Sequence, residues 1–185
     1  MSKILVFEIR FRGPFLVGGD PAGDGSDIRV NRDVLIPGSS IKGRLRAEAT
    51  NTLRLPDALI GDVFGTSSQG GKWWFSQVDF SRSDLHVCTS NRVAMDPESP
   101  DSGITDDHQL VFYDQCWADF ATFTVEQLEY IDDVLLQKHI AVLCSAARST
   151  TSLGAMRRRG HGWVTIVPQL IDEMEVFRSL RELQK

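Results

Sequence analysis

Cysteine is scarce in this chain, with only Cys88, Cys116 and Cys144 among 185 residues. They form no CxxC pair, so neither a zinc ribbon nor a disulfide framework is indicated, and the simplest expectation is three reduced, packed thiols. No stretch approaches the ~18 apolar residues of a membrane span. The opening MSKILVFEIRF also lacks the apolar length and small-residue cleavage site of a secretion signal. The expected location is therefore cytoplasmic, with no membrane partner. His86, His108, His139 and His161 do not cluster at metal-ligand spacing, and no Gly-x-Ser-x-Gly or Cys/His pair marks a hydrolase nucleophile. What the chain does have is 42% hydrophobic residues, enough for one core, which excludes disordered, collagen-like and coiled-coil classes.

A local absence is more telling. Residues 93–137 carry eleven acidic side chains and not one Lys or Arg. The net charge of −5 argues in bulk against a nucleic-acid binder, yet residues 29–54 hold six basic residues against Asp33 and Glu48, and residues 148–161 hold four arginines and no acid. A chain so segregated can bind a polyanion on one face while its net charge stays negative.

Hydrophobic periodicity supplies the elements. Leu5, Phe7, Ile9 and Phe11 recur at period two and predict a first strand over residues 3–11. Residues 18–27 (GGDPAGDGSD) predict a long loop, and a short extended piece follows to Ile36. Ile41, Leu45, Ala49 and Leu53 predict a helix capped by a serine of the Ser39-Ser40 pair, which would put Lys42, Arg44 and Arg46 in its first two turns, against the macrodipole. Strands are expected over 73–80 and 85–95, with Trp73, Trp74 and Phe75 divided between two faces. A polar excursion at 96–108 then separates two strand-like arms, the second within 109–123, as a projecting hairpin. Thr124 and Gln127 have capping-box spacing and predict the start of a long helix running to Cys144. A glycine-rich loop (153–162), a strand (163–167) and an amphipathic helix (172–183) close the chain. The order predicts one α+β domain spanning 1–185 with a ferredoxin-like βαββαβ core.

Two segments are suited to anions. In SLGAMRRRGHGWV (152–164), Arg157, Arg158 and Arg159 sit between Gly154, Gly160, His161 and Gly162, combining guanidinium forks with backbone able to approach a ligand closely. A flexible turn with solvated arginines explains the glycines but not three adjacent cations. IPGSSIKGRLR (36–46) places hydroxyls and cations at a helix start, without the spacing of a nucleotide P-loop. Two separated basic anchors suit a repeating phosphate backbone better than a single nucleotide. For Asp20, Asp24 and Asp27, spacing alone favours Asx turns over a divalent-ion site.

The glycine/aspartate loop, IPGSSIKGRLR, Phe64-Gly65-Thr66, Asn91-Arg92-Val93-Ala94-Met95-Asp96 and the Leu153–Gly162 loop occur in one order across nearly the whole chain. In that combination the chain resembles the repeat-associated mysterious protein (RAMP) superfamily, and within it the backbone subunit of type III CRISPR effector complexes. The resemblance implies an RRM-related core that assembles along guide RNA with other RAMP subunits, including copies of itself. The hairpin at 96–108 would be a thumb that meets complementary target RNA or a neighbouring subunit through Val93, Met95 and Ile104. Ser39, Ser40, Lys42, Arg44, Arg46, Arg92 and the segment Gly154 to Gly162 would contact RNA. In target-cleaving relatives a loop aspartate serves attack of a ribose 2′-hydroxyl on the adjacent phosphate, with a divalent ion such as Mg or Mn. Asp27 is its counterpart here and the expected metal ligand, with Asp24 second. Two alternatives stand beside this reading: a non-catalytic scaffold or end cap, and a stand-alone endoribonuclease processing guide RNA through His161 or His86.

Overall fold

The computed structural model describes residues 2–20, 28–93 and 110–183. Strand β1 (Ile4–Phe11) follows its period-two pattern: Leu5, Phe7 and Ile9 are buried, while Ile4, Val6 and Arg10 are exposed on the opposite face. A short hairpin follows, β2 (Gly18–Asp20), within the segment expected to be loop, paired with β3 (Arg29–Val30), within the expected extended piece. Helix α1 (Gly38–Ala47) continues through a π-helical turn (Glu48–Thr52), and α2 (Asp57–Phe64) adds a helix not expected from the sequence. Strands β4 (Trp73–Phe75), β5 (His86–Val93), β6 (Leu110–Trp117) and β7 (Phe120–Gln127) precede α3 (Asp133–Ser149), β8 (Val164–Pro168) and α4 (Glu173–Leu183).

The main sheet runs β4-β7-β1-β8, with every neighbouring pair antiparallel. Its path through β1, α1, β4, β7, α3 and β8 is the expected strand-helix-strand-strand-helix-strand order, an α+β fold. Helices α1 and α3 cover one face of the sheet. There Phe7 stacks on Phe123 at 4.9 Å, and the partly buried Phe11 and Phe80 stack on the core residue Phe15 as a second aromatic cluster at the core's margin. β5 and β6 form a separate two-stranded arm, paired without a break from His86 opposite Trp117 to Val93 opposite Leu110. The excursion at 96–108 expected at its tip lies outside the described residues.

Three expectations need correction. Thr124 and Gln127 lie within β7 and cap nothing: Ala121, Phe123 and Val125 are buried opposite Ile9, Phe7 and Leu5, and this period-two pairing overrides the local cap signature. Helix α3 begins instead at Asp133, capped by the Asp132 carboxylate, which accepts from the Leu135 N–H at 3.0 Å. At α1 the N-cap is Pro37 and no serine side chain caps it. Gly38 is there because the helix start lies directly on the Phe75–Ser76 backbone, where any Cβ would collide with the Phe75 carbonyl oxygen. The third correction concerns the thiols: Cys116 and Cys144 are buried but Cys88 is exposed. Burial pushes both buried thiols up to about 12, which leaves them unreactive.

Candidate nucleic-acid interface

The arginine segment forms a single 3-10 turn, Arg157–Arg159, entered through Met156 and left through Gly160, both in the left-handed region. All three arginines are exposed, and among the described residues no carboxylate pairs with any of them. The backbone beneath is fixed. Ala155 N–H donates to Leu16 O at 2.7 Å, Gly162 N–H to Pro14 O at 2.7 Å, and Leu153 N–H to Gly162 O at 2.8 Å. Gly154 and Gly162 serve this packing: both have positive φ, and a Cβ would strike Leu16 O in the first case and Leu153 O in the second. The expectation that these glycines open the backbone to a ligand is therefore corrected; they open it to the protein's own chain. Gly160 differs, with φ of +83° and nothing near its Cβ position.

His161 turns inward. Its Nδ1 lies 3.3 Å from Arg159 O, its Nε2 lies 3.3 Å from Gln115 Oε1, and its ring meets Tyr113 edge-on at 5.7 Å. It ties the arginine turn to β6 of the arm. Ile28 also forms a backbone bridge with Tyr113, and Ile28 N–H donates to Phe112 O at 3.3 Å. Pro14 to Val17 is a strap between these parts, since Phe15 exchanges backbone hydrogen bonds with Cys116 at 2.8 Å in both directions.

The helix signal sits differently from its expected place. The segment Gly38–Ala47 runs without a break into the π-helical turn Glu48–Thr52, so Arg44 and Arg46 lie mid-helix, where the macrodipole neither favours nor opposes cations, and their place needs no external anion to explain it. Arg44 is also partnered internally, by Glu48 Oε1 at 2.5 Å and by Ser152 O at 3.0 Å. Glu48 is buried, so this is a structural ion pair. The Ser152 bond joins the basic helix to the base of the arginine loop, and the two segments meet in space. Arg46 and Ser39 are exposed, while Lys42 and Ser40 are half-buried.

Other predicted residues lie where less can be said. Arg92 and Val93 end β5, paired with Val111 and Leu110. Asp24, Asp27, Met95 and Ile104 lie outside the described residues. Among the described residues no group of three His, Cys, Asp or Glu side chains is placed to hold a metal ion, and no helix is long and apolar enough to cross a membrane.

Sequence reasoning passed over two residues. His139 is fully buried in α3, where its Nδ1 accepts from the Trp73 indole N–H at 3.0 Å. Its place beside Ile140 and one turn before Leu143, leading into the apolar run Ile140 to Cys144, was the available signal. Trp163, 52% exposed at the entrance to β8, is the other.

Fold and surface together define an α+β domain with a separate two-stranded arm and a cationic, glycine-braced turn. The chain belongs to the RAMP superfamily, whose family model matches residues 8–165. Solved structures that share the fold include two chains of type III-B assemblies. One is a chain from the cryo-EM structure of type III-B Cmr-beta in the apo state, with TM-score 0.66, 11% identity and coverage of 90% of this chain and 97% of that one. The other is a chain from type III-B Cmr-beta bound to cognate target RNA, with TM-score 0.70, 10% identity and coverage of 96% and 98%. No curated protein matches the sequence.

Proposed function

We propose that this chain is an RNA-binding subunit of a type III CRISPR effector complex, holding guide RNA on the Arg157–Arg159 turn and packing against further RAMP subunits. The observation that carries this reading is the turn itself: three exposed cations on a backbone pinned by hydrogen bonds, with no carboxylate partner among the described residues. Like charges held adjacent repel, and a phosphate backbone relieves that repulsion while releasing its own counterions. The acid-only stretch from Asp96 to Asp133 suits a partner surface or solvent rather than RNA. The net charge of −5 makes the lone chain a weak RNA binder that relies on assembly. Replacing Arg157, Arg158 and Arg159 together with Ala should weaken guide-RNA binding and reduce the slope of log K against log salt by about 2 for a single strand. Binding indifferent to salt and to these substitutions would remove the reading.

Target cleavage through Asp27 is the finer part of the proposal. It is supported by the family and by the place of Ile28, which anchors the chain immediately after Asp27 beside the arm at Phe112 and Tyr113. The test is reconstitution with guide and complementary RNA, with and without a divalent ion, comparing Asp27→Ala with wild type. Unchanged cleavage by the variant takes Asp27 out of the reaction, and absence of cleavage by wild type leaves a scaffold. Guide-RNA processing through His161 is disfavoured, because that ring is enclosed by Tyr113 and Gln115.

A further inference from the structure

Among the described residues the outer face of the main sheet, with Ile4, Val6 and Arg10 exposed, carries no helix, and at its β8 end it presents a tryptophan near cations. Val164 and Ile166 are buried, so strand alternation turns Trp163 and Thr165 outward. Across the strand pair, Arg10 lies opposite Thr165, and the register continues one step further through the Arg12 N–H bond to Trp163 O at 2.9 Å. Arg12 is therefore the cross-strand neighbour of Trp163, and its guanidinium reaches the same face, where it donates to Thr165 Oγ1 at 2.9 Å. The arginine turn adjoins this end of the sheet: Gly160 O lies 3.8 Å from the Cβ position of Gly13, the residue after Arg12. Two carboxylates face the neighbourhood. Glu8 is held by Arg10 at 2.6 Å, and Asp119 sits at the β6–β7 connection, where its carbonyl accepts from Phe11.

We infer that Trp163 is a stacking platform for a nucleobase, with Arg12 and the Arg157–Arg159 turn holding the flanking phosphates. This rests on the RNA-binding reading above and adds the residue that contacts a base. An indole half out of water is costly to leave bare and offers a π-face that any base can cover, while the surrounding guanidinium groups match the backbone on either side. The combination decides between occupants: an acidic protein surface could match the charge of Arg12 and the Arg157–Arg159 turn but brings no flat ring to cover the indole, whereas a single strand of RNA supplies both a base and the compensating charge.

The test uses the full chain with a fluorescent single-stranded RNA of about 12 nucleotides, and the same strand with abasic positions, at low salt. Trp163→Ala should weaken binding about tenfold without altering the salt slope, Trp163→Phe should largely restore it, and only proteins with an aromatic ring there should prefer the intact strand over the abasic one. Trp163 is exposed, so thermal melts of these variants should match wild type. Wild type that shows no binding at low salt even with the protein at about 0.1 mM, where weak binding is still visible, overturns the RNA-binding reading and the platform with it. Wild type whose salt-dependent binding is lost in the arginine variants but unchanged in Trp163→Ala overturns the platform alone. Self-association that Trp163→Ala abolishes, with RNA affinity unchanged, would instead make this face a subunit contact and likewise overturn it.

Discussion

Acidification from pH 8 to pH 5 should withdraw about 2 kcal/mol of folding stability through one side chain, His139. Burial is the main cause: it lowers this imidazole from 6.5 to about 4, with Lys72 pushing the same way and Asp62 and Asp132 opposing it. The hydrogen bond points in the same direction. Nδ1 accepts from Trp73, so the neutral ring carries its proton on Nε2, and a second proton on Nδ1 would face the indole N–H donor to donor. Because the folded value is depressed, the unfolded chain takes up the proton first. The contribution is present above about 6.5, falls as the pH drops, and is gone below about 4. With those two values, linkage gives about 2 kcal/mol lost at pH 5, a large part of the stability of an ordinary domain. Urea denaturation at half-unit steps from pH 8 to pH 5 measures it, with His139→Gln as the comparison, since glutamine offers the indole an acceptor that does not titrate. The wild-type curve should fall relative to the variant's by about that amount. Parallel curves would refute the argument.

The glycines of the arginine loop should separate by what lies beneath them. Gly154→Ala forces a Cβ into Leu16 O as well as a positive φ and should cost about 3 kcal/mol or prevent folding, whereas Gly160→Ala meets open space and should cost only the about 1 kcal/mol of left-handed strain; thermal melts compare them. Arg44→Ala leaves the buried Glu48 carboxylate without its cation and should destabilise by about 2–3 kcal/mol, with Glu48→Gln in the same chain recovering part of the loss. Recovery in a double-mutant cycle would show that Arg44 acts on the fold, and absence of any loss in Arg44→Ala would show that the pair is dispensable.

The sequence made β1 and the general strand-helix order legible because alternation with a one-sided core leaves little freedom: a shift of one residue would expose Phe7 and Ile9. It misled at Thr124, where a Thr and Gln three apart satisfy a helix-cap pattern and a strand equally well; the partner strand, more than a hundred residues away, decided between them. The arginine loop was recognisable as a cationic turn, but the role of its glycines was not, since nothing local reveals that Leu16 and Leu153 carbonyls occupy the space. Arg44 looked like a ligand-facing cation for the same reason. Its partner Glu48 was one helical turn away and readable as an i, i+4 pair, but burial of that pair depends on tertiary packing. Trp163 was legible in principle, because its alternation with Val164 and Ile166 already assigns it to the outer face.

The strap from Pro14 to Val17 is tied by main-chain bonds to the arginine loop on one side and to the arm on the other, and it leads directly into the β2–β3 hairpin. Main-chain bonds do not depend on side-chain identity. The interval between the turn and the arm is thus a fixed ruler that survives sequence drift in the strap, whereas inserting or deleting a single residue there would put every feature on one side out of step with the other.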